Sequence, residues 1–211
     1  MWCDMKRIRN GAIAAVSALA LTGGIVAATA LPAAAATPTN VAYAVGGSGL
    51  LGGLQQQLGE ASYPGTSPVS LAQVNALGLV SVGAVTDTAG PTSASSHVAD
   101  LAVLGILGLG SVNTTVVSSS CAYDPSTNTV TGDASIVGGL ALAGLIATPL
   151  PTSPAPNTTV SVPGIATITL NKQVSSGGSL EVDALSVALL GGTQTITIGT
   201  SVCNAADLSA G

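Results

Sequence analysis

The pattern V-x-x-L-x-[VL] recurs four times along the chain, as Val74-Asn-Ala-Leu77-Gly-Leu79, Val98-Ala-Asp-Leu101-Ala-Val103, Val137-Gly-Gly-Leu140-Ala-Leu142 and Val182-Asp-Ala-Leu185-Ser-Val187. Its second half, a step of two, places both apolar side chains on one face of a strand. Its first half, a step of three, needs either a helical turn or a strand with one extra residue, a β-bulge. The small and β-branched neighbours favour the bulged strand. The copies are unevenly spaced, which argues against a solenoid of fixed period.

The second and fourth copies share more than the motif. Each runs through a glycine turn, Gly105 to Gly110 or Gly191-Gly192, into a Thr/Ser/Val strand that ends in Cys121 or Cys203. The expectation is two equivalent hairpins joined at their ends. Further strands follow from alternation, at Val160-Ser-Val162 before a turn at Pro163-Gly164 and at Ile168-Thr-Leu170-Asn171. Tyr123 to Asn128 reads as a turn leading into Thr129-Val130-Thr131. The prolines from Pro149 to Pro156 remove backbone donors, so that segment reads as an extended loop. Leu51, Leu54 and Leu58 keep helical spacing, which allows one short helix around Gln55-Gln56-Gln57. The expected fold class is all-β, an antiparallel β-sandwich with bulged strands, one disulfide and at most one short helix.

The N-terminus has the order of an export signal. Lys6, Arg7 and Arg9 precede an apolar run from Gly11 to Leu31, and Ala34-Ala35-Ala36 supply small residues ahead of Thr37. Residues 1–36 therefore read as a signal peptide and residues 37–211 as a single secreted β domain, large enough to bury a core. Cleavage removes Cys3 and leaves Cys121 and Cys203. An oxidising compartment pairs two such cysteines, and closing a loop of this length is worth about 4–5 kcal/mol in the chain-entropy model. The alternative is two buried free thiols. No cysteine follows the apolar run near the cleavage site, which argues against a lipoprotein. Ala134 to Leu150 is uncharged, but Gly138, Gly139, Gly144 and the following prolines oppose a membrane helix, so the mature chain is expected to have no transmembrane segment.

Composition narrows the partners. Past Ala36, Lys172 is the single basic residue against Glu60, Asp87, Asp100, Asp124, Asp133, Glu181, Asp183 and Asp207, a balance of about −7. Such a chain cannot neutralise phosphates, which excludes nucleic acid and anionic lipid headgroups as favoured partners. There is no Phe, and Trp2 leaves with the signal, so Tyr43, Tyr63 and Tyr123 are the mature aromatics. Aromatic sugar-stacking platforms and membrane girdles are hard to build from three rings.

The candidate chemistry is sparse. His97 is the only histidine and lies among Ser93, Ser95, Ser96 and Asp100, yet no G-x-S-x-G elbow accompanies it, and it reads as an exposed loop residue. Asp124, Asn128 and Asp133 offer hard oxygens around a turn without the spacing of an EF-hand, and Asp at a turn start commonly caps its own backbone. Glu181 and Asp183 alternate with Leu180 and Val182, so both carboxylates point to one strand face; an acid/base pair and a solvated outer face both fit. Asn113 and Asn157 begin glycosylation sequons within Thr-rich strands. No phosphate-binding glycine pattern is present. The expectation is no catalytic residue, no metal ligand and no cofactor.

From Ala42 to the end, the order of motifs resembles the choice-of-anchor P family of actinobacterial secreted proteins. The resemblance rests on Ala42-Tyr43-Ala44 with Gly49-Leu50-Leu51, on the Leu-Gly strands and on Ser120-Cys121. It continues through Pro156-Asn-Thr-Thr-Val-Ser-Val-Pro-Gly-Ile-Ala-Thr-Ile-Thr-Leu-Asn-Lys-Gln173, Val182 to Gly191 and Cys203. It implies export and tails that vary in how they anchor, and it carries no catalytic residues over. Ala210-Gly211 follows neither an apolar stretch nor an L-P-x-T-G signal, which turns the expectation toward free secretion or non-covalent attachment. The expected function is an exported cell-surface or secreted structural or adhesive module that meets an unknown cell-surface or cell-wall component. A self-assembling, surface-active coat is the second expectation, because the chain is apolar and rich in β-branched residues. A secreted hydrolase is the third.

Overall fold

The computed structural model describes residues 39–49, 57–76, 80–103, 112–137, 151–162 and 166–204. They form thirteen strands, all paired antiparallel, and one 3-10 turn at Leu190–Gly192. The first sheet runs in the order β10 (Thr158–Val162), β11 (Ala166–Ser176), β12 (Ser179–Leu189), β13 (Gln194–Asn204), β1 (Asn40–Gly49) and β2 (Ala61–Tyr63). In the second sheet β7 (Ser93–Val103) pairs on one side with β6 (Ala84–Ala89) and β5 (Val80–Val82) and on the other with β8 (Val112–Asp124), which pairs with β9 (Thr129–Val137). β3 (Val69–Leu71) and β4 (Val74–Ala76) extend the far edge beside β6 and β5. β13 packs on β7 and β8, β12 on β8 and β9, and β1 on β6 and β7. The chain is thus an all-β, antiparallel sandwich.

The core lies between the two inner faces. Val85, Val98, Val117 and Ile136 of the second sheet share one buried cluster with Val45, Val182, Leu185 and Ile198 of the first. Burying each such side chain stabilises the fold by about 1.5–3 kcal/mol relative to leaving it in water. Cys121 of β8 and Cys203 of β13 are disulfide-bonded, with Cα atoms 6.0 Å apart, so the bond ties the two sheets together. The two cysteine-ending hairpins are β7–β8 and β12–β13, as the repeated pattern implies.

The step of three is taken without an inserted residue. In β7, Val98, Leu101 and Val103 are all buried, yet Val98 faces Val117 and Leu101 faces Thr114 in one unbroken register. The same holds across β12 and β13, where Val182 faces Ser201 and Leu185 faces Ile198. Left-handed residues absorb the change of face, namely Asp100 (φ 51°) in β7, Asn171 (φ 47°) in β11 and Gly199 (φ 61°) in β13. Gly, Asn and Asp tolerate that conformation where other residues do not. The expected bulge therefore takes the form of an in-register inversion of faces. The second motif copy carries its left-handed residue, Asp100, within the motif, whereas the fourth copy on β12 has none and is flanked instead by Asn171 of β11 and Gly199 of β13; Leu77–Leu79 of the first and residues 138–142 of the third lie outside the described residues.

Leu58 does not continue a helix but forms an isolated bridge to Val45, and residues 50–56 lie outside the described residues. Ala134 and Ile136 belong to β9, and no helix among the described residues is long and apolar enough to cross a membrane. The remainder of that apolar run, residues 1–36 that were expected to be a signal peptide, and the turns expected at 105–110 and 163–164 also lie outside them. Residues 151–157 of the proline segment form no strand, in keeping with the expected loop; Thr152 O accepts from the Ile136 amide at 2.9 Å, and Pro154 O accepts from Asn171 Nδ2 at 2.9 Å.

Candidate functional site

A two-residue turn at Gly177-Gly178, both left-handed (φ 57° and 85°), closes the hairpin between β11 and β12. Counting outward from it sets Lys172 opposite Asp183. The next two strands add Thr200 opposite Asp183 and Tyr43 opposite Thr200, so one transverse row reads Lys172, Asp183, Thr200, Tyr43 across four strands. Lys172 Nζ lies 3.0 Å from Asp183 Oδ2, and Thr200 Oγ1 donates to Asp183 Oδ1 at 2.7 Å. Asp183 has no solvent exposure, whereas the Lys172 side chain is 31% exposed. The solvated-face reading is thereby corrected for Asp183: it shares a face with Glu181, but neighbouring strands enclose it, while Glu181 and Lys172 stay partly exposed.

Electrostatics follow from this enclosure. Burial pushes the Glu181 carboxyl above its ordinary range, and the Asp183 charge adds to the rise while Lys172 opposes it. Burial also raises the Tyr43 phenol, with hydrogen bonding to Thr200 acting the other way and the carboxylates of Asp183 and Glu181 adding to the rise. Asp183 and Glu181 of β12 thus interact with Lys172 one strand away on β11 and with Tyr43 two strands away on β1.

A second polar row lies inside the sandwich. Asp87, Ser96 and Ser119 are neighbours across β6, β7 and β8, and all three are buried. Ser96 Oγ donates to the Tyr43 carbonyl of the opposite sheet at 3.2 Å. Neither carboxyl oxygen of Asp87 has a hydrogen-bond partner of regular geometry. Its pKa rises to about 7 because it is buried, an effect that the nearby Ser96 hydroxyl and His97 amide offset only in part. Asp87 was not among the residues singled out from sequence. The signal was present in its phase, since it alternates with Val85 and Ala89 on the apolar side of β6.

The outer face of the second sheet is different in kind. Ser95, Ser120 and Asp133 are cross-strand neighbours, as are His97, Ser118 and Ser135, and these six residues line one shallow depression. Ser95 extends the first of these rows through a 2.7 Å hydroxyl contact with Thr88. His97 is exposed, but on strand β7 rather than in a loop. Among the described residues no hydrogen bond ties its imidazole to a hydroxyl or a carboxylate.

The oxygen ligands considered around the β8–β9 turn separate. Asp124 Oδ1 accepts from the Ser126 amide at 2.8 Å and from Ser126 Oγ at 2.7 Å, which holds its carboxyl below the usual range. Asn128 Oδ1 accepts from the Tyr123 hydroxyl at 3.0 Å. Asp133 lies four positions into β9 from Thr129, about 13 Å along a strand. Among the described residues no group of His, Cys, Asp and Glu could hold a metal ion. No protein family, no curated protein and no solved structure matches the chain.

Proposed function

We propose that the chain is an exported, cell-surface or secreted adhesive module whose outer β7–β9 face binds a polar cell-wall polymer. The supporting observation is the paired rows of hydroxyls on that face, with Ser95, Ser118, Ser120 and Ser135 set around His97 and Asp133. Neighbouring strands are about 4.8 Å apart and alternate residues about 6.8 Å, so such rows offer a regular array of donors and acceptors. A hydroxylated polymer can meet that array without the aromatic platform the composition lacks. The disulfide between the sheets suits a module kept in an oxidising compartment.

Sedimentation of the protein with purified cell-wall polysaccharide tests this reading. Binding is expected for the native chain and at least tenfold less for a Ser118→Lys/Ser135→Lys variant of unchanged circular dichroism. Absence of binding by the native chain, or its retention in the culture's cytosolic fraction, overturns the proposal.

A further inference from the structure

We propose that Lys172 and Asp183 are the two halves of an intramolecular isopeptide bond, formed between β11 and β12 after folding. This goes beyond the adhesive reading and does not rest on it. Past Ala36 the chain holds one lysine, and that lysine is set 3.0 Å from a carboxylate with no solvent exposure. An ion pair of this kind contributes little, because the enclosed charge must give up its hydration. A covalent amide between the same two groups removes both charges.

The atoms for the step are in place. Thr200 Oγ1 holds Asp183 Oδ1, which leaves Oδ2 as the oxygen facing Nζ. One proton passes from the Lys172 ammonium to the Asp183 carboxylate, giving an amine beside a carboxylic acid. The Nζ lone pair adds to Cγ and forms the C–N bond. The Cγ–Oδ2 bond then breaks, and Oδ2 departs as water with a second proton taken from Nζ. Ammonium plus carboxylate thus become amide plus water, with no change of oxidation state and no co-reactant.

Glu181 is the group that carries this second proton. It lies two residues from Asp183 on the same strand face and is half-buried, and its charge interacts with both partners of the pair. Burial raises its pKa, which suits a carboxyl that must take up and return a proton. The pairing register holds the amine and the acid together, and such fixed geometry is worth effective concentrations of about 10⁵ M or more in intramolecular reactions. Water leaves along the Lys172 side chain, the exposed side of the pair.

Peptide mapping of the folded, exported full chain, after denaturation and reduction, tests the bond. Trypsin has one site past Ala36, after Lys172. The bonded protein is expected to resist cleavage there and to yield a segment one water lighter than its sequence, with fragment ions linking Lys172 to Asp183. Lys172→Arg keeps the cation but lacks the nucleophilic amine, and it should fold and show full mass. Glu181→Gln should fold, keep full mass and regain trypsin cleavage. Full mass together with cleavage after Lys172 in the folded native chain overturns the proposal, and a complete water deficit in Glu181→Gln overturns the role of Glu181. Polymer binding is a separate readout, so failure of either proposal is distinguishable from failure of the other.

Discussion

Gly132 on β9 sits against Val182 on β12 so closely that a Cβ on the glycine would lie 2.3 Å from Val182 Cγ2. The sheets are therefore in backbone-to-side-chain contact at this point, and the Gly132 carbonyl also accepts from Gln173 Nε2 at 2.9 Å. Gly132→Ala forces β9 away from β12 and should cost about 1–3 kcal/mol, as overpacking does. Urea unfolding measures the loss. In a Val182→Ala background the added methyl has room, so the penalty should shrink; an equal penalty in both backgrounds would falsify this account of the contact.

The disulfide joins strands of different sheets across a separation of 82 residues. Replacing both Cys121 and Cys203 by Ala should lower stability by about 2–5 kcal/mol. Equilibrium denaturation of the variant checks this, and the native chain in reductant should approach the variant's midpoint. Midpoints that coincide for all three samples would exclude a stabilising bond.

Asp87 gives the fold an unusual pH dependence. Its folded-state pKa is about 7 against an ordinary 3.8. Between these values the folded state binds more protons than the unfolded one, so its contribution makes stability fall as pH rises from about 4 through 7 and level off above. For a fully buried carboxyl the total is on the order of a few kcal/mol. Asp87→Asn should remove this slope, as read from chemical denaturation at a series of pH values. A slope unchanged in the variant would assign the effect to other groups.

The sheet edges oppose growth into a coat. β10 has five residues, β2 and β3 have three each, and the Ile136 amide on β9 is already occupied by the Thr152 carbonyl. Short or covered edges are poor templates for adding strands. The oxidised protein should elute as a small discrete species and leave thioflavin fluorescence unchanged at an air–water interface. Film or fibre formation there would favour the coat instead.

The strand content, the two equivalent hairpins and the cysteine pair were legible in the residues themselves. V-x-x-L-x-[VL] followed by Thr/Ser/Val alternation is a local pattern, and local alternation is what a strand with one buried face imposes. The inversion of faces was legible only as a step of three. Its mechanism needed φ values at Asp100, Asn171 and Gly199, because an inserted residue and a left-handed residue produce the same spacing in one strand.

The sites divide along the same line. Lys172 and Asp183 stand eleven positions apart, and the Gly177-Gly178 turn makes them partners by simple counting once the turn is known to have two residues. Their enclosure depends on Thr200 and Tyr43, brought from distant parts of the chain by the order β11, β12, β13, β1. Likewise, the phase of Asp87 in β6 marked it as inward-facing, while the opposing Tyr43 carbonyl and the neighbouring Ser96 and Ser119 come from strand order. The sequence by itself determined which residues form strands and which of their faces seek burial, because those are short-range properties of alternation and turn chemistry. Only the tertiary structure decided which strands became neighbours, and hence which charges lost their water, because desolvation depends on what the rest of the chain lays over a residue.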